Sequence, residues 1–268
     1  MKEFKDKKII ITGGAQGIGL ALVESFAEVG SEVIFIDKEK IKGQKLQRRF
    51  NRTNKKVFFY PCNLSDFAKS IKLFRKILKK HKNINFLINN AKAGKRNEVL
   101  KEKEKNWSES IDVILKNSFF FSQEFIKQNR YNKISKAILN ITSVVTNLIS
   151  NESPSYHAAK SGLEGITKYL ASHAGKFGVR VNSIAPGFVI QKRHYKKFFG
   201  KKNSKYRNLI LGFHPMKNFG TENDIIKAAF FLLSNTSKFI NGSSISLDGA
   251  LSKNSYLQLQ KQIEPSKK

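Results

Sequence analysis

A glycine-rich turn set between an apolar run and a helical pattern constrains this chain more than any other feature. It reads Thr12-Gly13-Gly14-Ala15-Gln16-Gly17-Ile18-Gly19. Ahead of it stands Ile9–Ile11, and behind it Ile18, Leu22, Phe26 and Val29 recur at helical spacing. The same alternation runs through the sequence. Further β-rich runs occur at Val33–Ile36, Val57–Tyr60, Phe86–Ile88, Ala137–Ile141, Val179–Ile184 and Ser243–Leu247. Most are continuous apolar stretches, as expected of strands covered on both faces. Phe67, Ile71, Phe74 and Leu78, and later Ile226, Phe230 and Leu233, repeat the helical rhythm. Alternating strand and helix predicts an α/β fold: one doubly wound, seven-stranded parallel sheet with helices on both faces. No composition shift divides residues 1–251 into two domains, and the polar residues 252–268 read as a surface tail.

The turn also has a chemical reading. Gly13 permits a backbone shape closed to other residues, Gly17 lets the chain approach a pyrophosphate, and Gly19 lets helix pack on strand. The following helix offers free N–H groups and the positive end of its dipole. Asp37 ends the second strand, where a carboxylate accepts hydrogen bonds from a ribose and repels a 2′-phosphate. With Gln16 bringing no positive charge to the turn, the expected cofactor is NAD, with NADP the weaker alternative. Lys38 argues the other way.

Composition narrows the class of protein. The formal net charge is +30, from 50 Lys and Arg against 20 Asp and Glu. It implies either a polyanionic partner or compositional drift in a chain rich in Lys, Asn, Ile and Phe. The lysines are spread over nearly every predicted helix, a pattern that favours drift and disfavours a nucleic-acid site. The densest basic run, Gln191 to Arg207, is the exception. One cysteine, Cys62, allows no internal disulfide, and no stretch reaches the roughly 20 apolar residues of a membrane helix. With a charged N-terminus unlike a signal peptide, the expectation is a cytoplasmic protein with no membrane association and no metal site.

From about Lys7 to Leu251 the chain resembles the short-chain dehydrogenase/reductase family, whose domain is of Rossmann type. The family's Thr-Gly-x-x-x-Gly-x-Gly is matched by Thr12 to Gly19, its Asn-Asn-Ala by Asn89-Asn90-Ala91, and its Tyr-x-x-x-Lys by Tyr156 to Lys160. Its serine falls on Ser143, and Pro186-Gly187 matches the turn that seats the nicotinamide. The resemblance implies a cofactor site of Gly13, Gln16, Gly17, Ile18, Gly19, Asp37, Asn63, Leu64, Asn90, Tyr156, Lys160, Pro186, Gly187 and Val189. It implies a catalytic set of Ser143, Tyr156 and Lys160. Residues i and i+4 share a helix face, so Lys160 lies one turn from Tyr156. A lysine cation there is expected to lower the phenol from about 10 toward neutrality, so that Tyr156 trades a proton with a secondary alcohol or ketone. Ser143 would orient the substrate oxygen. Assembly as a homotetramer or homodimer is implied through helices over about Trp107 to Gln128 and Pro154 to Lys176, with Phe119-Phe120-Phe121 either at that interface or in the core.

Three positions depart from the family pattern. Ile114 replaces an asparagine that holds a water linking the lysine to solvent, with Asn117 on a neighbouring face. Lys92 replaces the glycine after Asn-Asn-Ala, either meeting an anionic substrate or cofactor phosphates, or pointing to solvent. Gln191 stands where many members touch the nicotinamide amide with threonine. The basic substrate loop at about 191–219 suggests a negatively charged substrate or an acidic carrier protein. Loose local similarity around Asn90–Arg96 and Ser150–Tyr156 suggests a sugar or nucleotide-linked sugar of a surface polysaccharide pathway. A 3-oxoacyl-carrier-protein reductase and a non-catalytic binding protein of the same fold are the alternatives.

Overall fold

The computed structural model describes residues 2–130 and 136–255. The tail assigned to 252–268 lies outside the described residues from 256 onward. The seven parallel strands of the main sheet are β1 (Lys8–Thr12), β2 (Glu32–Asp37), β3 (Val57–Pro61), β4 (Phe86–Asn89), β5 (Lys136–Ile141), β6 (Val179–Pro186) and, after two short strands that flank residues 191–219, β9 (Ser244–Leu247). They lie in the order β3-β2-β1-β4-β5-β6-β9, each observed strand lying within two residues of its predicted bounds. The helices are α1 (Gly17–Glu28), α2 (Lys40–Asn51), α3 (Phe67–His81), α4 (Glu104–Ser110), α5 (Asn117–Asn129), α6 (Pro154–Ala174), α7 (Tyr195–Phe199), α8 (Ser204–Phe213) and α9 (Glu222–Leu233).

Strand periodicity accounts for the two cores. Ile9 and Ile11 of β1, with Val33 and Phe35 of β2, face a cluster built on α1, α2 and α9. Ile10, Ile34 and Ile36 point the other way, onto Phe74 of α3, Phe121 of α5 and Leu170 of α6. Each large buried side chain contributes on the order of 2–3 kcal/mol through removal from water, so covering both faces is what makes so apolar a sheet soluble. Phe121 stacks on Phe74 with centroids 4.2 Å apart, placing it in the core, while Phe119 and Phe120 are half-buried. At the far side of the sheet, buried Arg180 donates to the carbonyls of Leu232 and Ser234, a cation at the carboxyl end of α9.

Sequence pattern missed three elements. Strands β7 (Val189–Ile190) and β8 (Gly220–Thr221) pair in a separate two-stranded sheet that brings together the two ends of residues 191–219. Between α4 and α5 the chain makes a π-turn over Ile111–Lys116, whose wider coil re-registers every side chain after it.

Candidate active site

The strand order reverses between β1 and β4, so the chain leaves their carboxyl ends in opposite directions and opens a crevice. A cleft of about 450 Å³ occupies it, and every cofactor or catalytic residue singled out from the sequence lines its wall.

At one end the glycine turn is rigidly supported. Gly13 has φ 70 and Gly17 φ 57, conformations strained for any side chain. A Cβ on Gly19 would strike the Gly13 carbonyl oxygen. Thr12 Oγ1 accepts from the N–H groups of Asn90 and Ala91, at 3.0 and 3.1 Å, and the Asn90 amide donates to the carbonyls of Thr12 and Gly13. Asn90 is therefore chiefly a brace for the turn, although it borders the cleft. Asn89 ties β4 to β5 through Asn140 at 2.8 Å, and Asn140 donates to Thr167 of α6. The Gln16 cap of α1 makes no side-chain bond to the helix, leaving its first N–H groups facing the cleft.

Asp37 is buried, with Oδ2 accepting from the Ala15 N–H at 2.9 Å and Oδ1 from the Glu39 N–H at 3.0 Å. Both oxygens keep acceptor capacity for ribose hydroxyls. Asn63 Oδ1 accepts from the Ser65 N–H, which leaves its amide donor for a base. Cations crowd the outer rim: Lys42 Nζ and Arg193 Nη1 both donate to Gln16 Oε1. Lys38 sits 3.9 Å from Glu109.

These features fit a bound dinucleotide. Gln191 adds a further sign, since its Oε1 is buried without a hydrogen-bond partner among the described residues and would lie 2.8 Å from a Cβ on Gly17. Gln191 thus packs against the glycine turn within the cleft.

At the other end, Ser153 caps α6 by accepting from the Tyr156 N–H, and Pro154 starts the helix with its fixed φ. Tyr156 and Lys160 thereby fall on consecutive turns facing β5. Lys160 Nζ lies 5.6 Å from the Tyr156 ring centroid and donates to the Ile141 carbonyl at 2.5 Å. Ser143 follows β5 and faces the same space.

The electrostatics correct one expectation. Burial pushes the Tyr156 phenol up to about 12; the Ser143 hydrogen bond works against that rise and Glu152 adds to it. Burial also pulls Lys160 down to about 7, helped by the charge of Lys92. Desolvation outweighs the stabilisation of a phenolate that helical spacing had suggested.

Among the described residues, neither Ile114 nor Asn117 offers a free amide in place of the family asparagine. Ile114 is fully buried with Ala159 and Leu163. Asn117 instead donates to the carbonyls of Leu64 and Asp112 and accepts from the Ser70 hydroxyl, and so is committed to the π-turn and the start of α3. Sequence reasoning also missed Arg96, Glu152 and Phe188, all lining the cleft; only the lysine at position 92 pointed toward that wall. Among the described residues no cluster of metal ligands occurs and no helix is long and apolar enough to cross a membrane.

A family model described as enoyl-(acyl carrier protein) reductase matches residues 13–252. The chain is a short-chain dehydrogenase/reductase. It is 32% identical to the 3-oxoacyl-[acyl-carrier-protein] reductase FabG of Chlamydia muridarum, over 92% of this chain and 97% of that protein. It is 29% identical to the 2-dehydro-3-deoxy-D-gluconate 5-dehydrogenase of Dickeya dadantii, over 91% and 94% respectively. A solved structure, a mutant 4-hydroxyisoleucine dehydrogenase complexed with NADH and succinate, superposes with TM-score 0.84 at 28% identity, over 93% of this chain and all of that one. This short-chain dehydrogenase/reductase is accordingly an oxidoreductase on a Rossmann-type scaffold.

Proposed function

We propose that this protein interconverts a secondary alcohol and a ketone with NAD(H). The observation that carries the reading is the convergence of Ser143, Tyr156 and Lys160 with the glycine turn in one cleft, with Asp37 at its far end. A bound nicotinamide nucleotide supplies or accepts the hydride. The chain's own residues handle the oxygen and its proton. Ser143 donates a hydrogen bond to the substrate oxygen and fixes its position. Tyr156, protonated at neutral pH, gives its proton to that oxygen as a ketone is reduced and takes one back as an alcohol is oxidised. Lys160 packs beside the phenol and reaches toward the ribose side of the cleft. Asp37 selects the unphosphorylated ribose. Assembly as a homotetramer or homodimer is part of this reading, supported by Trp107 and Tyr169, which are 43% and 56% exposed on α4 and α6.

Titration with NADH and NADPH, followed by nicotinamide fluorescence, tests the cofactor half. NADH is expected to bind at least tenfold more tightly, with the difference reduced in Asp37→Ala. Equal binding, unchanged by the substitution, would refute the role of Asp37. A second reading, reduction of a 3-oxoacyl group on an acidic carrier, draws on the names of several relatives. It also draws on the complete lack of Asp and Glu between Glu164 and Glu222, a stretch that includes the substrate loop. It predicts NADPH preference and saturation by an acyl carrier at low salt only.

A further inference from the structure

On the substrate side of Tyr156 lies an ion pair that the reaction above does not use. Arg96 donates from Nε and Nη2 to Glu152 Oε1, at 2.8 and 2.6 Å, and both side chains line the cleft beside Ser143 and Tyr156. Both partners are registered against the phenol. Gly94 turns the chain with φ 93, and Lys95 after it is clamped by Asn106, whose Oδ1 accepts from the Lys95 N–H at 2.7 Å. The Asn106 amide in turn donates to the Ser155 hydroxyl, one residue before Tyr156. Glu152 immediately precedes Ser153, the cap of the same helix. Lys92 lines the same cleft, close enough to Lys160 for its charge to act there, and makes no ion pair among the described residues.

We propose that Arg96, assisted by Lys92, binds a carboxylate of the substrate, and that Glu152 holds that place until the substrate displaces it. The inference rests on the oxidoreductase reading and narrows its substrate to oxo acids and hydroxy acids. Glu152 is the template for it: a planar carboxylate already met by two donors of one guanidinium. The pair is also weak enough to exchange, since the Arg96 side chain is 75% exposed and that of Glu152 23%. Arg96 and Lys92 against Glu152 leave one net positive charge, which a monoanion neutralises and a phosphate dianion exceeds.

The test compares 4-oxopentanoate with its primary amide, and dihydroxyacetone phosphate with dihydroxyacetone, each with NADH. The readout is the ratio of kcat/KM for the charged over the uncharged member of each pair. In the wild type the acid is expected to lead its amide by about tenfold or more. Arg96→Met brings that ratio toward one, whereas Glu152→Gln raises it severalfold by removing the competing carboxylate. A merely structural ion pair would move both variants in the same direction, so opposite shifts are required. An acid-to-amide ratio near one in the wild type, parallel shifts in the two variants, or stronger selection of the phosphate would overturn the proposal. If neither ketone turns over, the same ratio is read from displacement constants on the NADH complex by fluorescence. Absence of turnover then counts against the proposed reaction, and the displacement ratio still decides the carboxylate site.

Discussion

Replacing Lys160 by Met is expected to stabilise the fold at neutral pH while removing a residue of the reaction centre. Burial lowers the ammonium from its ordinary 10.5 to about 7. At 1.36 kcal/mol for each tenfold change in proton affinity, that is a cost of about 5 kcal/mol well below pH 7 and about 4 at pH 7. Met fills a similar volume, but it leaves the Ile141 carbonyl without its donor, at about 1–3 kcal/mol. The net expected gain at pH 7 is therefore about 1–3 kcal/mol. The sign changes with pH. A lysine lowered by folding binds its proton more tightly in the unfolded chain, so the wild type gains stability as pH rises from about 7 to 10.5. The variant lacks that gain, and near pH 10.5 only the lost hydrogen bond remains. Urea denaturation of both proteins at pH 7, 8, 9 and 10 measures the difference, with the other titrating groups cancelling. A stability difference independent of pH, or a variant weaker at every pH, would refute the argument that burial of the Lys160 cation costs the fold stability.

Tyr156→Phe should reduce turnover by roughly 10²–10⁴, the usual worth of a positioned proton donor. With the phenol raised to about 12, ketone reduction should show no alkaline loss attributable to it below about pH 11. Since Glu152 raises the phenol, Glu152→Gln should bring that limb to lower pH in a kcat/KM profile. Gly19→Ala should abolish NADH binding because its Cβ meets the Gly13 carbonyl; Gly165→Ala, with nothing within 4 Å, should raise stability by about 0.5–1 kcal/mol in thermal unfolding. Ile114→Asn, the return to the family residue, should cost about 2–4 kcal/mol in denaturation and bring no increase in turnover, since it puts an amide into a closed apolar cluster.

The sheet could be read from the sequence because its signal is local and redundant. Runs such as Ile9–Ile11 and Val33–Ile36 are apolar on both faces, and only a sheet covered on both sides satisfies them. The glycine turn was equally legible, since its backbone shape admits few other residues. What escaped depends on contacts between distant segments. Strands β7 and β8 have two residues each, too few for any periodicity. The Arg96–Glu152 pair joins residues 56 apart, through a loop whose course is set by Asn106 and Gly94 and not by its charges. Likewise, that Asp37 already accepts two backbone N–H bonds is a property of where β2 ends against the turn.

The proton chemistry was misjudged for a reason that Ile114 makes clear. Helical spacing places Lys160 beside Tyr156 but says nothing of what surrounds them. In the folded chain Lys160 has a single backbone acceptor, Ile141, and the cation Lys92 as its charged neighbour. Where the family has an amide, Ile114 joins Ala159, the residue before Lys160 on α6, and Leu163, three residues after it, in an apolar cluster. Asn117, one face away by ordinary helical counting, is carried past the cleft by the π-turn and spent on Leu64 and Asp112. Desolvation is the largest influence on the lysine and the phenol alike, lowering the one and raising the other. A protonated Tyr156 is the form that donates to the ketone oxygen in the proposed reaction.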